Sequence, residues 1–186
     1  MNIKPVYLPQ FPKKVLREKS QDVLLPLSQE DIDLAEQMIK HIDYSQEPGQ
    51  KIYRPGVGVA AVQYGILKNM FYIYLPPEKS NDVGFKDVII NPQILGYSEA
   101  EVALSMGEGC LSVPDSYEHQ NGYVVRKNKI VVKAYSYFQK QYVTFRASGY
   151  LAIVFQHELD HLQGKLFIDR INKEKPWAKK DGVEYL

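Results

Sequence analysis

Apolar residues recur at helical spacing in two stretches of the chain, and between them they fall in short runs rich in Val, Ile and Tyr. Ile32, Ala35, Ile39 and Ile42 lie three or four apart, the period that places side chains on one face of a helix. Ser28 followed three residues later by Asp31 has the pattern of a capping box, with Asp where Glu or Gln is more usual. This spacing predicts a surface helix over 29–43 with one buried stripe, and places His41 in its last turn as a cation facing the helix dipole. A second helix is expected over 148–163, with Ser148 as N-cap and Gly164 just past its end. The runs 57–62, 70–75, 88–90, 102–104, 123–125, 129–137 and 141–146 are bounded by Pro, Gly and Asn and read as strands. A hairpin is expected near 138–140, although that turn lacks glycine. Residues 1–27 read as irregular because Pro5, Pro9, Pro12 and Pro26 interrupt them, and 44–56 as a loop. The charged tail, 172–186, contains Pro176 and reads as solvated or loosely docked, with Trp177 as its candidate anchor. Strands followed by a strong late helix give an α+β fold.

Length and composition narrow the function classes. A chain of 186 residues suits one domain, 1–186, and is long enough to bury its own core. Lys and Arg total 23 against 22 Asp and Glu, a net charge of +1, so neither DNA nor an anionic membrane is an expected partner. The single cysteine, Cys110, excludes a disulfide scaffold and points to a reducing, cytoplasmic setting. No apolar segment near the N-terminus reads as a signal sequence. The longest apolar run, 150–155, falls far short of the roughly 20 residues that a membrane helix needs.

Chemistry concentrates in three places. In His157-Glu158-Leu159-Asp160-His161 the histidines are four apart. On a helix both imidazoles reach one metal ion, with Glu158 beside a water. The residues before them are apolar, so the helix is expected to be buried, where a histidine needs a partner. Two imidazoles leave a catalytic site one protein ligand short. That ligand is either an acid downstream (Asp169, Glu174, Asp181 or Glu184) or Cys110 upstream. Cys110 lies in Glu108-Gly109-Cys110-Leu111-Ser112, where Gly107 and Gly109 permit tight backbone geometry. The third place is Gly56-Val57-Gly58-Val59-Ala60-Ala61-Val62-Gln63. It fits a dinucleotide fingerprint, with Glu78 at the spacing of a ribose-binding acid, but the residues before it are polar and broken by Pro55 rather than a buried strand. Small residues there let a substrate backbone approach, and Gln63 can donate an amide N–H to an oxyanion.

Taken together and in this order, Gly56 to Gln63, Glu108 to Ser112 and Gln156 to His161 resemble the three motifs of the peptide deformylase family, over roughly 56–171. The long spacer between the first two resembles the class found in low-GC Gram-positive bacteria and mycoplasmas, whereas Pro114-Asp115 is closer to the other bacterial class. Val62 replaces the proline frequent at that position. The resemblance implies mixed and antiparallel sheets around a central metal-bearing helix. It implies hydrolysis of the N-formyl group from N-terminal formylmethionine, releasing formate. Cys110, His157 and His161 would ligate one divalent ion, with Fe²⁺ expected in the cell and Zn²⁺, Ni²⁺ or Co²⁺ in purified protein. Glu158 would be general base and acid, and Gln63 with the Leu111 backbone N–H the oxyanion donors. The expected partner is the N-formylmethionyl end of a nascent polypeptide, with the ribosome a candidate meeting place.

Substrate residues follow in part from the helix period. Tyr150, Ile153, Val154 and His157 share a face, and the first three are expected to line the methionine pocket. Gly58 and Gly109 would let the substrate backbone lie close, and Glu108 would sit beside the pocket. Arg126 is expected to pair with Glu108 or Asp160 as a brace behind the ligands. Two readings compete: an HExxH-type metallopeptidase using a downstream acid, and a metal-binding relative without catalysis.

Overall fold

The computed structural model describes residues 8–77 and 84–186; Pro5 and Glu78 lie outside the described residues. A five-stranded antiparallel sheet holds β1 (Gly58–Ala60), β2 (Met70–Leu75), β3 (Phe85–Tyr97), β6 (Lys129–Ser136) and β7 (Gln141–Ser148), in that spatial order. A smaller mixed sheet has β4 (Glu101–Ala103) between β5 (Arg126–Lys127) and β8 (Val183–Tyr185), antiparallel to the first and parallel to the second. Helix α1 spans Gln29–Ser45 and helix α2 Gly149–Leu162. The architecture is α+β, as expected. Among the described residues no helix is long and apolar enough to cross a membrane.

The large sheet is covered on both faces. Phe71 and Ile73 of β2, with Ile89, Ile130, Val132 and Phe145, pack around Ala152, Phe155 and Leu162 of α2. Met70 and Tyr72 point the other way, with Val88 and Ile90, onto Leu34, Met38 and Ile42 of α1. Burial on both sides explains why 70–73 is an unbroken apolar run rather than an alternating one. A third cluster joins Cys110, Val113 and Val124 to Leu166, Phe167 and Ile171, beneath the end of α2.

The capping box forms: Ser28 Oγ accepts from the Asp31 N–H, and the Asp31 carboxylate accepts from the Ser28 N–H. The buried stripe of α1 is Leu34, Ala35, Met38 and Ile42, with Ile32 and Ile39 half-buried at its margins. Helix α2 ends at Gly164 (φ +68°), where a Cβ would fall 2.5 Å from the Arg17 carbonyl oxygen. Glycine is required there both for backbone angle and for space.

Other expectations change. The run at 57–62 is a strand only to Ala60, then a 3₁₀ turn over Ala61–Tyr64, because the Ala60 N–H donates back to Gln63 Oε1 at 2.9 Å. The run at 88–90 belongs to a longer strand whose bulges lie between Ile90 and Gln93 and between Ile94 and Gly96, so Asn91-Pro92 bends it without ending it. Residues 123–125 form no strand; Val124 is spent on the third cluster and the Tyr123 N–H on the Pro176 carbonyl. The 137–140 turn does without glycine because Lys140 takes the left-handed conformation (φ +53°) while Ser136 Oγ accepts from the Gln139 N–H. The tail, expected to be solvated or loosely docked, ends in β8. Trp177 and Tyr185 pack on Tyr123, and the Leu186 N–H bonds the Ala103 carbonyl.

His41 also departs from expectation. It is buried rather than a surface cation, with Nδ1 2.7 Å from Tyr64 Oη. Burial pushes its pKa down to about 4. Between pH 6.5 and 4 the unfolded chain takes up a proton that folded His41 refuses, so this group lowers stability as pH falls through that window, by roughly 3 kcal/mol at its foot. Urea unfolding between pH 4 and 6.5 should show a shallower loss of stability on acidification in His41→Gln than in the wild type. Parallel curves would show that His41 is not the group responsible.

Candidate active site

Helix α2 brings His157 and Glu158 to the floor of a cleft of about 920 Å³, with His161 buried next to them. Ligand atoms of Cys110, His157 and His161 lie within 4.8 Å of one another, and Cys110 Sγ is 3.2 Å from His161 Nε2. None of Asp169, Glu174, Asp181 and Glu184 joins this group among the described residues. Asp169 instead accepts a two-pronged bond from Arg17, and Glu184 one from Asn128.

Each donor has a reason to face inward. His157 Nδ1 lies 2.8 Å from Glu108 Oε2, and its ring stacks on Phe167. An ionised Glu108 can only accept, so Nδ1 is the donor and the lone pair of Nε2 is free for another partner. Burial alone would raise the Cys110 thiol, but the His161 and His157 imidazoles outweigh it and hold it well below the ordinary thiol range. One low-pKa thiol and two imidazoles, one oriented by a carboxylate, form a donor set suited to a divalent transition metal.

Behind the ligands lies a chain of alternating charge, buried from Glu108 through Arg126 to Asp160 and reaching the surface at Arg170. Arg126 donates through Nε and Nη2 to Glu108 at 2.5 and 2.9 Å, and through Nη1 to Asp160 at 2.9 Å. Arg170 donates to both oxygens of Asp160, at 2.6 and 2.7 Å. Thus Arg126 pairs with both acids that the sequence offered as alternatives. Burial would raise the Glu108 carboxyl, yet His157 and Arg126 bring it below its usual value.

Glu158 differs. Burial pushes its carboxyl up to about 7, and its Oε2 is buried without a hydrogen-bond partner among the described residues. Gly58 stands directly against it: a Cβ there would fall 2.5 Å from Glu158 Oε1. A glycine at 58 is therefore what leaves room for this carboxylate. Gln63 is buried beside the thiol, its Nε2 3.6 Å from Cys110 Sγ and 3.1 Å from Ser112 Oγ. Because Oε1 accepts from the Ala60 N–H, the orientation of the amide is fixed, with Nε2 turned toward Cys110.

Gly58, Gly109, Leu111, Tyr150, Ile153 and Val154 all line the cleft. Glu108 also reaches it, but its carboxylate is engaged by His157 and Arg126, so it orients a ligand more than it offers a free contact. Sequence reasoning missed Arg54, Leu104 and Phe85 on the walls, and Arg170 behind Asp160. Only Arg54 carried a signal, a lone cation abutting the glycine-rich segment.

Comparison with known proteins agrees with this geometry. The family model described as "Polypeptide deformylase" matches residues 6–177. A peptide deformylase of Mycoplasmopsis pulmonis is 53% identical over 97% of each chain, and one of Levilactobacillus brevis 43% identical over 91% of each. These sources belong to the groups that the long spacer between the first two motifs pointed to. The crystal structure of a peptide deformylase from Ehrlichia chaffeensis superposes with a TM-score of 0.76 at 30% identity, covering 93% of this chain and 91% of that one. A Met-Ala-Ser-bound class I type b peptide deformylase from Acinetobacter baumannii gives 0.73 at 28%, covering 92% of this chain and all of the other. A match that runs almost from end to end, and encloses every residue meeting at the floor of the cleft, makes this chain a member of the polypeptide deformylase family.

Proposed function

We propose that this protein removes the formyl group from the N-terminal formylmethionine of newly made polypeptides, by hydrolysis that releases formate. The observation that carries the reading is the meeting of a Cys–His–His donor set with a buried carboxylate, one of whose oxygens lacks a partner among the described residues, at an open cleft. Cys110, His157 and His161 would hold the ion, and a divalent ion there supplies Lewis acidity that polarises a carbonyl and acidifies water. Thiolate and imidazole donors accept Fe²⁺, which we assign as the ion in the cell, as well as Zn²⁺, Ni²⁺ or Co²⁺. The cytoplasm, where formylated chains leave the ribosome, is the corresponding setting.

The protein's own groups account for the remaining steps. Glu158 takes a proton from the attacking water and later delivers it to the departing amine, a shuttle suited to a carboxyl whose pKa lies near 7. As the formyl carbon becomes tetrahedral, its oxygen gains charge. Gln63 Nε2 and the Leu111 N–H are the donors assigned to it. Tyr150, Ile153 and Val154 receive the methionine side chain, and crowding around the metal ligands favours formyl, which carries only hydrogen where acetyl carries a methyl.

The direct test is formate release from a short N-formyl-Met peptide by anaerobically prepared, iron-loaded protein, with an N-acetyl twin alongside. Formate without acetate is expected. Cleavage of internal peptide bonds, surviving Cys110→Ala, would instead establish the metallopeptidase reading. Glu158→Ala should retain its metal and lose about 10²- to 10⁴-fold in turnover, since proton transfer by a placed side chain contributes that much. Near-normal turnover would remove Glu158 from the shuttle. Gln63→Ala should bind metal normally and turn over about 10²- to 10³-fold more slowly; an unchanged kcat would leave the oxyanion to other donors.

A further inference from the structure

Arg54 precedes the glycine-rich segment and has no role in the mechanism above. Its guanidinium is held at two points: Nη1 donates to Asp115 Oδ1 at 2.8 Å, and Nη2 to the Cys110 carbonyl oxygen at 2.7 Å. The ion pair is exposed, with the Asp115 side chain 83% accessible, so solvent screens it and it contributes little. The bond to the carbonyl is the more consequential one. That oxygen also accepts from the Val113 N–H at 3.1 Å, so the turn has an anchor of its own and does not need Arg54 merely to close.

A trans peptide is planar, with its C=O and N–H pointing to opposite sides. The peptide that Arg54 grips by its oxygen is the one whose nitrogen belongs to Leu111. Its N–H is therefore directed away from the guanidinium. Positive charge at the carbonyl oxygen draws electron density through the amide resonance and makes the N–H a stronger donor. Linked hydrogen bonds polarise and strengthen one another, by about 10–30% each, and charge-assisted ones are about twice as strong as neutral ones. Gly109 lies alongside this contact: a Cβ there would touch Nη2 at 3.7 Å, an ordinary van der Waals distance.

We infer that Arg54 is a positioning residue for the oxyanion site: by bonding the Cys110 carbonyl it fixes and polarises the Cys110–Leu111 peptide whose N–H meets the developing charge. The inference rests on the deformylase reading for the existence of that charge. Its signature is selective. Binding of the ground-state peptide and of metal does not depend on it, whereas turnover does.

The test compares wild type, Arg54→Met and Arg54→Lys, each zinc-loaded, with a formyl-Met-Ala-Ser peptide. Arg54→Met should lower kcat about tenfold, less than removal of a whole donor, while KM and zinc content stay within about twofold. Arg54→Lys, which keeps the charge without the fork, should recover part of the loss. In the same samples the Leu111 amide ¹⁵N and ¹H resonances should move upfield in Arg54→Met and return toward wild type in Arg54→Lys. A raised KM with kcat intact would make Arg54 a substrate contact, lost zinc would make it an anchor of the thiolate loop, and unmoved Leu111 resonances would rule out polarisation; each overturns the inference. The amide shift is read without turnover. An inactive wild type would therefore sink the deformylase reading while the resonances still decide whether Arg54 polarises this peptide.

Discussion

Everything at this site depends on keeping charge inside an apolar helix environment without leaving any of it uncompensated. The Glu108–Arg126–Asp160–Arg170 chain does this with two acids and two bases. Breaking such a buried pair leaves a charge that typically costs 3–5 kcal/mol. Its ends lie on different parts of the fold: Glu108 on the segment that also carries Cys110, Arg126 on β5, Asp160 on α2 and Arg170 just beyond the helix. The chain therefore ties the thiol-bearing loop to the histidine-bearing helix. It also sets the hydrogen on His157, because an ionised acceptor at Nδ1 decides which ring nitrogen remains free.

Against that compensated background Glu158 Oε2 and His161 Nδ1 stand out as buried polar atoms without a partner among the described residues. At its tightest approach Glu158 faces a glycine. A protein that satisfied every buried group would place a donor here. Burial raises the Glu158 pKa toward neutrality, which suits a group that must both take and return a proton. The rigid surroundings (β1 on one side and the packed face of α2 on the other) keep that arrangement from relaxing.

Much of this was legible in the chain, for identifiable reasons. Both helices start and end nearly where expected, because periodicity and terminal residues are local properties, although Ser148, at the N-cap position of α2, makes no side-chain capping bond as Ser28 does for α1. The His157–His161 spacing is likewise local, and once α2 forms the two rings must share a face. The identity of the third member of the donor set was not legible from spacing: Cys110 and four downstream acids remained open until the third cluster packed Cys110 beneath α2. Long-range pairings were hidden too. Nothing local to Val183–Tyr185 says that it will lie beside β4, and nothing near His41 announces Tyr64 as its partner. Arg170 shows the same limit, since its role exists only because the turn after α2 brings it back onto Asp160.

The order of the donor set along the chain has a consequence for biogenesis. Cys110 precedes His161 by 51 residues, and both histidines sit near the end of α2. A chain emerging from the ribosome in sequence presents a lone thiol long before the imidazoles that complete the set. Until residue 161 has been made, a growing chain holds no complete donor set. Firm metal capture therefore waits for α2 to form and to meet the segment that carries Cys110.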